Sequence, residues 1–236
     1  MVPAIASLGT ARGLSSLQTR GDDVMTLAGT NFGPVHKHNR ILASYSNNDT
    51  GKLHTFGFDA ASCAVTTNDV EVQCRSAPGV GTNLHWEIDV GGQLSAVSEP
   101  HTNYSVPQID YLSPSNGPTV GDTNVTIHGT NLGASVLFVV QPNISRGVTV
   151  GLAATDAAIL FHDHEKMVIR MPAHPNAIAA AVRVSSGAQT TNSRDFANYK
   201  PLALSPLFGP IHGTTNVTLR GRGFVDPPNA TIRVRF

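Results

Sequence analysis

Two short histidine-containing segments are the residues of this chain whose types and spacing could bind a metal ion. In His162-Asp163-His164-Glu165 an extended backbone would direct both imidazoles to one face, close enough together for Zn²⁺. The sequence offers no identifiable third ligand, and a polar loop before an apolar strand at Met167–Met171 explains the tetrapeptide equally well. His36-Lys37-His38 is a weaker pattern. We therefore predict no metal site.

Signatures of catalysis and of cofactor binding do not occur in the sequence. It has no Gly-x-Ser-x-Gly elbow, Walker loop, His-Glu-x-x-His pair or dinucleotide fingerprint. Arg20-Gly21-Asp22 spells an integrin-type adhesion tripeptide, but its last two residues recur as Gly121-Asp122, so turn chemistry accounts for them. Trp86 could stack on a sugar, yet it is in phase with apolar neighbours and is predicted to lie in a core. We predict no enzyme, no catalytic residue and no cofactor.

Covalent modification outside the cytosol is the chemistry that the sequence favours. Cys63 and Cys74 are the only cysteines, with ten residues between them. A disulfide closing this loop would add about 3 kcal/mol of stability and would persist in an oxidising compartment. Two buried free thiols are the alternative. The candidate N-glycosylation sequons begin at Asn48, Asn103, Asn124, Asn143, Asn216 and Asn229. Together these features predict an extracellular or cell-surface glycoprotein, whose targeting sequence would lie outside this chain.

Composition excludes two classes of partner. Only 14% of the residues are charged and the net charge is zero, so the chain lacks the basic surface that nucleic acid requires. No apolar run reaches the roughly 18–20 residues of a membrane span. We therefore predict no nucleic-acid partner and no direct membrane insertion of this segment.

Short β-strands are the elements that must position these residues. Leu84–Val90 alternates strictly between apolar and polar residues, and Val182–Val184 is its shorter counterpart. Hairpin turns follow both, at Gly91-Gly92 and at Ser186-Gly187. Frequent glycine, proline and turn signals between such strands indicate an all-β fold of antiparallel sandwiches.

A repeat of domain size organises the whole chain. Residues 21–33 return as residues 121–133, and a third copy covers residues 213–224. The interval suits a small β domain and is too long for a solenoid unit. Aromatic residues close each copy and a proline soon opens the next, so we expect stiff joints and a rod-like array. The predicted modules are a first module at 1–105 with the cysteines, a second at 106–200, and an incomplete third at 201–236.

One position of the repeat carries a prediction about the backbone. The residue two places after the glycine that ends each repeated strand is Asn31, then Asn131, then Gly223. Asparagine and glycine are the residues that most readily adopt a positive φ. We therefore predict a left-handed turn there in every copy.

These repeated residues resemble the IPT/TIG family, immunoglobulin-like modules shared by plexins, related receptors and some transcription factors. The resemblance is carried by Leu112-Ser113-Pro114, Gly117-Pro118, Gly121–Gly133, Cys74–Pro78 and Val90–Ser95. It implies tandem immunoglobulin-like β-sandwiches over nearly the whole chain. It says little about biochemical role, because the fold serves many functions.

Two departures from the family pattern refine these expectations. The second module has Met171-Pro172 where the first has Cys74, so we expect no disulfide in it. The family's intracellular members bind DNA, but arginines cluster here only between residues 220 and 235. DNA binding is therefore disfavoured.

The short third module suggests a contact between chains. Ile232, Val234 and Phe236 alternate along a strand and form an apolar face with too few residues to enclose a core. Either the natural chain continues, or a neighbouring copy covers this face by strand addition, which would build head-to-tail filaments. We predict a structural or adhesive segment of an extracellular glycoprotein that self-associates into a filament. The alternative is the ligand-binding stalk of a plexin-like receptor ectodomain, with neighbouring modules of a longer chain as its partners.

Overall fold

The structure, a computed structural model, describes residues 1–35, 40–47, 57–133, 148–152, 155–156, 158–173, 179–187 and 189–222. These residues form β-strands joined by turns and loops, with no helix among them. The described part of the chain accordingly contains no helix that is long and apolar enough to cross a membrane. The all-β prediction is confirmed.

Within the described ranges, twenty strands are numbered in chain order. Nine precede the first predicted boundary: β1 Ala4–Gly9, β2 Val24–Thr30, β3 Ile41–Ser46, β4 Gly57–Asp59, β5 Ala61–Thr67, β6 Glu71–Arg75, β7 Leu84–Val90, β8 Gln93–Leu94 and β9 His101–Thr102. The others are β10 Gln108–Ser113, β11 Asn116–Pro118, β12 Asn124–Thr130, β13 Val148–Leu152, β14 Thr155–Asp156, β15 Ala158–His162, β16 Lys166–Arg170, β17 Ala179–Ser186, β18 Gln189–Thr190, β19 Arg194–Ser205 and β20 Thr218–Arg222.

Two sheets enclose the core of the first module. One has the strand order β1-β2-β6-β5, and the other has the order β4-β3-β7-β8 with β9 also paired to β7. Residues of both sheets form a single buried cluster. Trp86 is fully buried in it, and its ring stacks on that of Tyr45 with the centroids 4.1 Å apart. The tryptophan is therefore a core residue, as its phase along β7 predicted.

The second module repeats this arrangement. Its sheets have the orders β10-β12-β16-β15 and β11-β19-β17-β13-β14, with β18 paired to β17. A separate cluster of buried residues lies between them, including Val182 and Val184 of β17. The counterpart of the tryptophan-bearing strand is therefore a core strand as well.

Strand β19 continues through the second predicted boundary. Its first residues pair with β17 and its last residues pair with β20, the first described strand pair beyond residue 200. The backbone thus leaves the second module as an unbroken strand that contains Pro201. Ile232, Val234 and Phe236 lie outside the described residues, so the apolar face predicted for them remains a prediction.

The repeat is reproduced in backbone conformation. Asn31 and Asn131 have φ values of 62° and 56°, so the predicted left-handed turn is confirmed in the first two copies. Asp22 and Asp122 share a φ of 65°. Gly223, the third predicted position, lies outside the described residues. The two sequence copies therefore follow the same path at these turns.

The two cysteines form a disulfide. Cys63 and Cys74 lie on the neighbouring strands β5 and β6 and are joined through their sulfur atoms. Cys74 is buried in the first core, and Cys63 packs against it. The bond ties β5 to the centre of its sheet.

The expected correspondence of Met171 with Cys74 is wrong by two residues. Strand β2 pairs Met25 with Cys74, whereas β12 pairs the equivalent residue, Val125, with Ile169. The repeat places Val125 one hundred positions after Met25, so Ile169 occupies the place of the cysteine. A buried isoleucine, and not a methionine-proline pair, replaces the bridge.

Candidate inter-module joint

The histidine-rich tetrapeptide forms the turn between β15 and β16. The carboxylate of Asp163 accepts hydrogen bonds from the backbone N–H groups of Glu165, at 2.8 Å, and Lys166, at 2.7 Å. This is the polar loop that the sequence offered as the alternative to a metal site. No group of three or more potential metal ligands occurs among the described residues. His36-Lys37-His38 lies outside them.

The first histidine of the turn belongs to the interior of the second module. His162 is only 7% exposed, and its Nε2 lies 2.8 Å from the carbonyl oxygen of Leu132, to which it donates a hydrogen bond. Burial lowers the pKa of the His162 imidazole below its ordinary value. His162 is therefore a buried, hydrogen-bonded residue of the second module.

The second histidine contacts the first module. Nδ1 of His164 lies 3.0 Å from Oγ1 of Thr19, a residue 145 positions earlier in the chain. Thr19 is almost fully buried. Burial, followed by the nearby guanidinium of Arg20, lowers the pKa of the His164 imidazole. The docked histidine is therefore neutral at pH 7, and it lies against a cation.

An ion pair crosses the same contact. The guanidinium of Arg20 in the first module pairs with the carboxylate of Glu165 in the second. Both side chains are more than half exposed, so this pair contributes about 0–1 kcal/mol and mainly sets orientation. Arg20 is also the first residue of the adhesion-like tripeptide, whose glycine is buried. In the structure, therefore, Arg20 forms a contact within this chain.

Two glycines of the second module allow its backbone to approach the first. A Cβ on Gly187 would lie 2.5 Å from the backbone nitrogen of Gly81, and one on Gly133 would lie 2.7 Å from Cγ1 of Val80. Gly187 occupies the hairpin turn after β17, and its φ of 57° also favours glycine. These contacts bring a second turn of the second module against the loop between β6 and β7.

The linker itself is held by hydrogen bonds. Tyr104 donates its backbone N–H to Gly81, and its carbonyl oxygen accepts from Nε2 of Gln189 at 3.0 Å. The next residue, Ser105, donates its backbone N–H to Leu17. Because Pro107 is buried and already belongs to the next module, little free chain remains between the two.

The side chain of Tyr104 anchors this linker in the first core. Its hydroxyl lies 2.7 Å from that of Tyr45 and donates to the carbonyl oxygen of Ala77, also at 2.7 Å. Burial raises the pKa of Tyr45 to about 12, and it also raises the pKa of Tyr104. The pair therefore stays uncharged over the physiological range and fixes the end of the module from which the linker starts.

The predicted glycosylation sites fall into different environments. Asn124 and Asn216 are exposed, whereas Asn103 is half-buried and its Oδ1 accepts a hydrogen bond from the backbone of Asn83. Asn48, Asn143 and Asn229 lie outside the described residues. Asn124 and Asn216 therefore offer the more accessible amide groups of the described sequons.

Sequence reasoning did not identify the joint. The tetrapeptide that contains His164 and Glu165 indicates either a metal site or a polar loop, and Arg20 stands out only as part of an adhesion-like tripeptide. The residue in the place of His164 in the first copy is Asp69, because Phe32 donates to Asp69 just as Leu132 donates to His164. A difference between aligned copies at an exposed turn was thus the signal present in the sequence.

Part of the chain matches a known domain family. Residues 107–197 match the IPT/TIG domain family. Plexin-2 of Caenorhabditis elegans is 28% identical over 148 residues, which are 60% of this chain and 8% of that protein. Plexin-B3 of Mus musculus is 30% identical over 122 residues, which are 50% of this chain and 6% of that protein. The chain therefore spans less than a tenth of the length of these curated relatives.

Solved structures show only distant likeness over the whole chain. The Plexin A4 full extracellular region aligns with 93% of this chain and 18% of its own, at 16% identity and a TM-score of 0.37. The adhesin InvE of Yersinia pseudotuberculosis aligns with 83% of this chain and 58% of its own, at 8% identity and a TM-score of 0.42. At such TM-scores neither likeness bears on function.

Proposed function

We propose that this chain is a stiff spacer in the ectodomain of a plexin-like cell-surface receptor. Residues 107–197 match the IPT/TIG domain and form its second module. In this proposal the first and third modules are further copies of the same domain. The three modules are arranged in tandem, with N-glycans at Asn124 in the second and Asn216 in the third. They hold ligand-binding parts of a longer protein at a set distance. The role is mechanical and non-enzymatic.

The observation that carries this proposal is the joint between the first two modules. A spacer transmits a fixed distance only if its modules keep their relative orientation. Separate contacts oppose rotation here: the His164–Thr19 hydrogen bond, the Arg20–Glu165 ion pair, and the approach of Gly187 to Gly81. The first two contacts engage adjacent residues of the loop between β1 and β2, and the third engages the loop between β6 and β7. Because the two loops are held at once, rotation about either one would break the contacts at the other.

The relatives favour a receptor segment over a filament. The curated relatives named above, Plexin-2 and Plexin-B3, are plexins. Self-association through Ile232, Val234 and Phe236 remains a prediction, as does a head-to-tail fibre. A receptor spacer requires a fixed shape in the single chain, whereas a filament requires assembly.

The full 236-residue chain tests this proposal in solution near neutral pH. Sedimentation velocity should give a single species close to 24.8 kDa. Nitrogen-15 relaxation should give one common rotational diffusion tensor for amides of the first two modules. Separate correlation times for the two modules would end the spacer proposal. Regular fibres in negative-stain images would instead support the prediction that the chain assembles into a filament.

A further inference from the structure

We infer that protonation of His164 releases the second module from the first, so that the joint is fixed at neutral pH and opens in mild acid. This inference rests on the proposed function, because it concerns regulation of the same joint. The regulating ligand is a proton that binds the imidazole of His164. This imidazole is hydrogen-bonded to a buried threonine of the other module and lies near an arginine of that module.

Charged groups of both signs surround this imidazole. From the first module, Arg20 presents a positive guanidinium. On its own turn, Asp163 uses a carboxylate oxygen for two backbone N–H groups, and Glu165 pairs with Arg20. His162, the remaining neighbour, is buried and would itself add positive charge. The two carboxylates favour a protonated His164, but burial and the guanidinium of Arg20 outweigh them, so the docked position disfavours the imidazolium.

The direction of the pH effect follows from linkage. In the undocked state His164 is solvated and titrates near its ordinary pKa of about 6.5. In the docked state burial and Arg20 lower that pKa, so the docked form binds fewer protons. Docking is therefore at full strength above about pH 6.5 and weakens as the pH falls toward the lower, docked pKa.

The equivalent turn of the first module has no such group. Asp69 stands in the place of His164 and accepts a hydrogen bond from the backbone N–H of Gly33 in the same module, at 3.1 Å. Histidine is the side chain whose ordinary titration range covers mild acid to neutral pH. The histidine thus lies in the turn that contacts another module, and the aspartate lies in the turn that contacts only its own module.

Nitrogen-15 relaxation of the full chain between about pH 7.5 and about pH 5.5 tests the inference. In the wild type we expect the rotational correlation times of the first two modules to fall by about a third and to become unequal on acidification. His164→Gln keeps a hydrogen-bonding group without titrating, so its correlation times should stay common and constant. His212→Asn, at an exposed histidine in the third module, should behave as the wild type.

A second variant makes the test independent of whether His164→Gln docks well. In Arg20→Gln the carboxylate of Glu165 loses its partner and becomes available to a protonated His164. The pKa of the His164 imidazole, followed by carbon-13 shifts, should then rise above its wild-type value, and acid should open the joint less than it does in the wild type, because only burial still lowers that pKa. A wild type that remains fixed in acid, or an Arg20→Gln variant that opens as the wild type does, would refute the inference. Modules that already move independently near pH 7.5 would instead refute the spacer proposal.

Discussion

The equivalent turn of the two modules differs in backbone conformation at one position and in use, because Asp69 has a positive φ of 63° and His164 does not. In the first module it spans Thr67–Val70 and in the second His162–Glu165, and each turn returns equivalent hydrogen bonds to the strand-ending loop that precedes it. The side chains differ. Asp69 bonds to Gly33 of its own module, whereas His164 reaches Thr19 of the neighbouring one.

A second pair of turns differs in the same way. Gly91 and Gly187 occupy equivalent hairpins, with φ values of 60° and 57°. A Cβ on Gly91 would meet nothing within 4 Å, whereas one on Gly187 would meet the backbone of Gly81. The fold is therefore specified by what the copies share, and the joint by side chains and surroundings in which they differ.

The largest expected effect concerns the cores. The first module has a disulfide where the second packs Ile159 against Ile169 across β15 and β16. Replacing Cys63 and Cys74 by serine should lower the unfolding free energy of the first module by about 3 kcal/mol and leave the second nearly unchanged. Hydrogen exchange read module by module measures both. Equal losses in the two modules would mean that they unfold as one unit.

The matched control for this change is a small cavity in the second core. Ile169→Val should lower the stability of the second module by about 1 kcal/mol and spare the first. Together the two variants show whether each core stabilises only its own module.

An intermediate effect is expected at the hairpin glycines. Gly187→Ala and Gly91→Ala share the cost of an alanine at positive φ, about 1–2 kcal/mol. Only the methyl group at 187 also meets Gly81, which should add about 1–3 kcal/mol or undock the modules. Denaturant unfolding and relaxation of both variants give the difference. Identical results would remove Gly187 from the joint.

The smallest effect separates the two turns directly. Asp69→Ala should destabilise the first module by about 1–2 kcal/mol, through the loss of one hydrogen bond and the greater strain of alanine at a φ of 63°, without altering inter-module orientation. His164→Ala should do the reverse, loosening the orientation while the second module keeps its stability. Thermal unfolding and relaxation data distinguish the outcomes. If Asp69→Ala loosened the orientation, the two turns would not differ in use as described.

Local patterns in the sequence predicted the fold well. The alternation of β7, the burial of Trp86 and the positive φ at Asn31 and Asn131 each depend on a few neighbouring residues, so a short window contains the information. The misplacement of Met171 had a different cause. The sheet register that aligns Ile169 with Cys74 is set between strands distant in sequence, and the segments between them differ in length.

The joint could not be predicted in this way. Thr19 and His164 are 145 positions apart and belong to different modules. No periodicity links them, and each residue type is ordinary in a polar loop. Only the relative placement of two folded modules brings them together, although the exchange of Asp69 for His164 between aligned copies marks the position in retrospect.

Residual dipolar couplings measured for the full chain near neutral pH test the central claim most directly. If the joint fixes the first two modules, couplings from both will fit one alignment tensor, with the orientation given by the Arg20–Glu165 and His164–Thr19 contacts. Two tensors of different magnitude, each fitting only one module, would contradict the account.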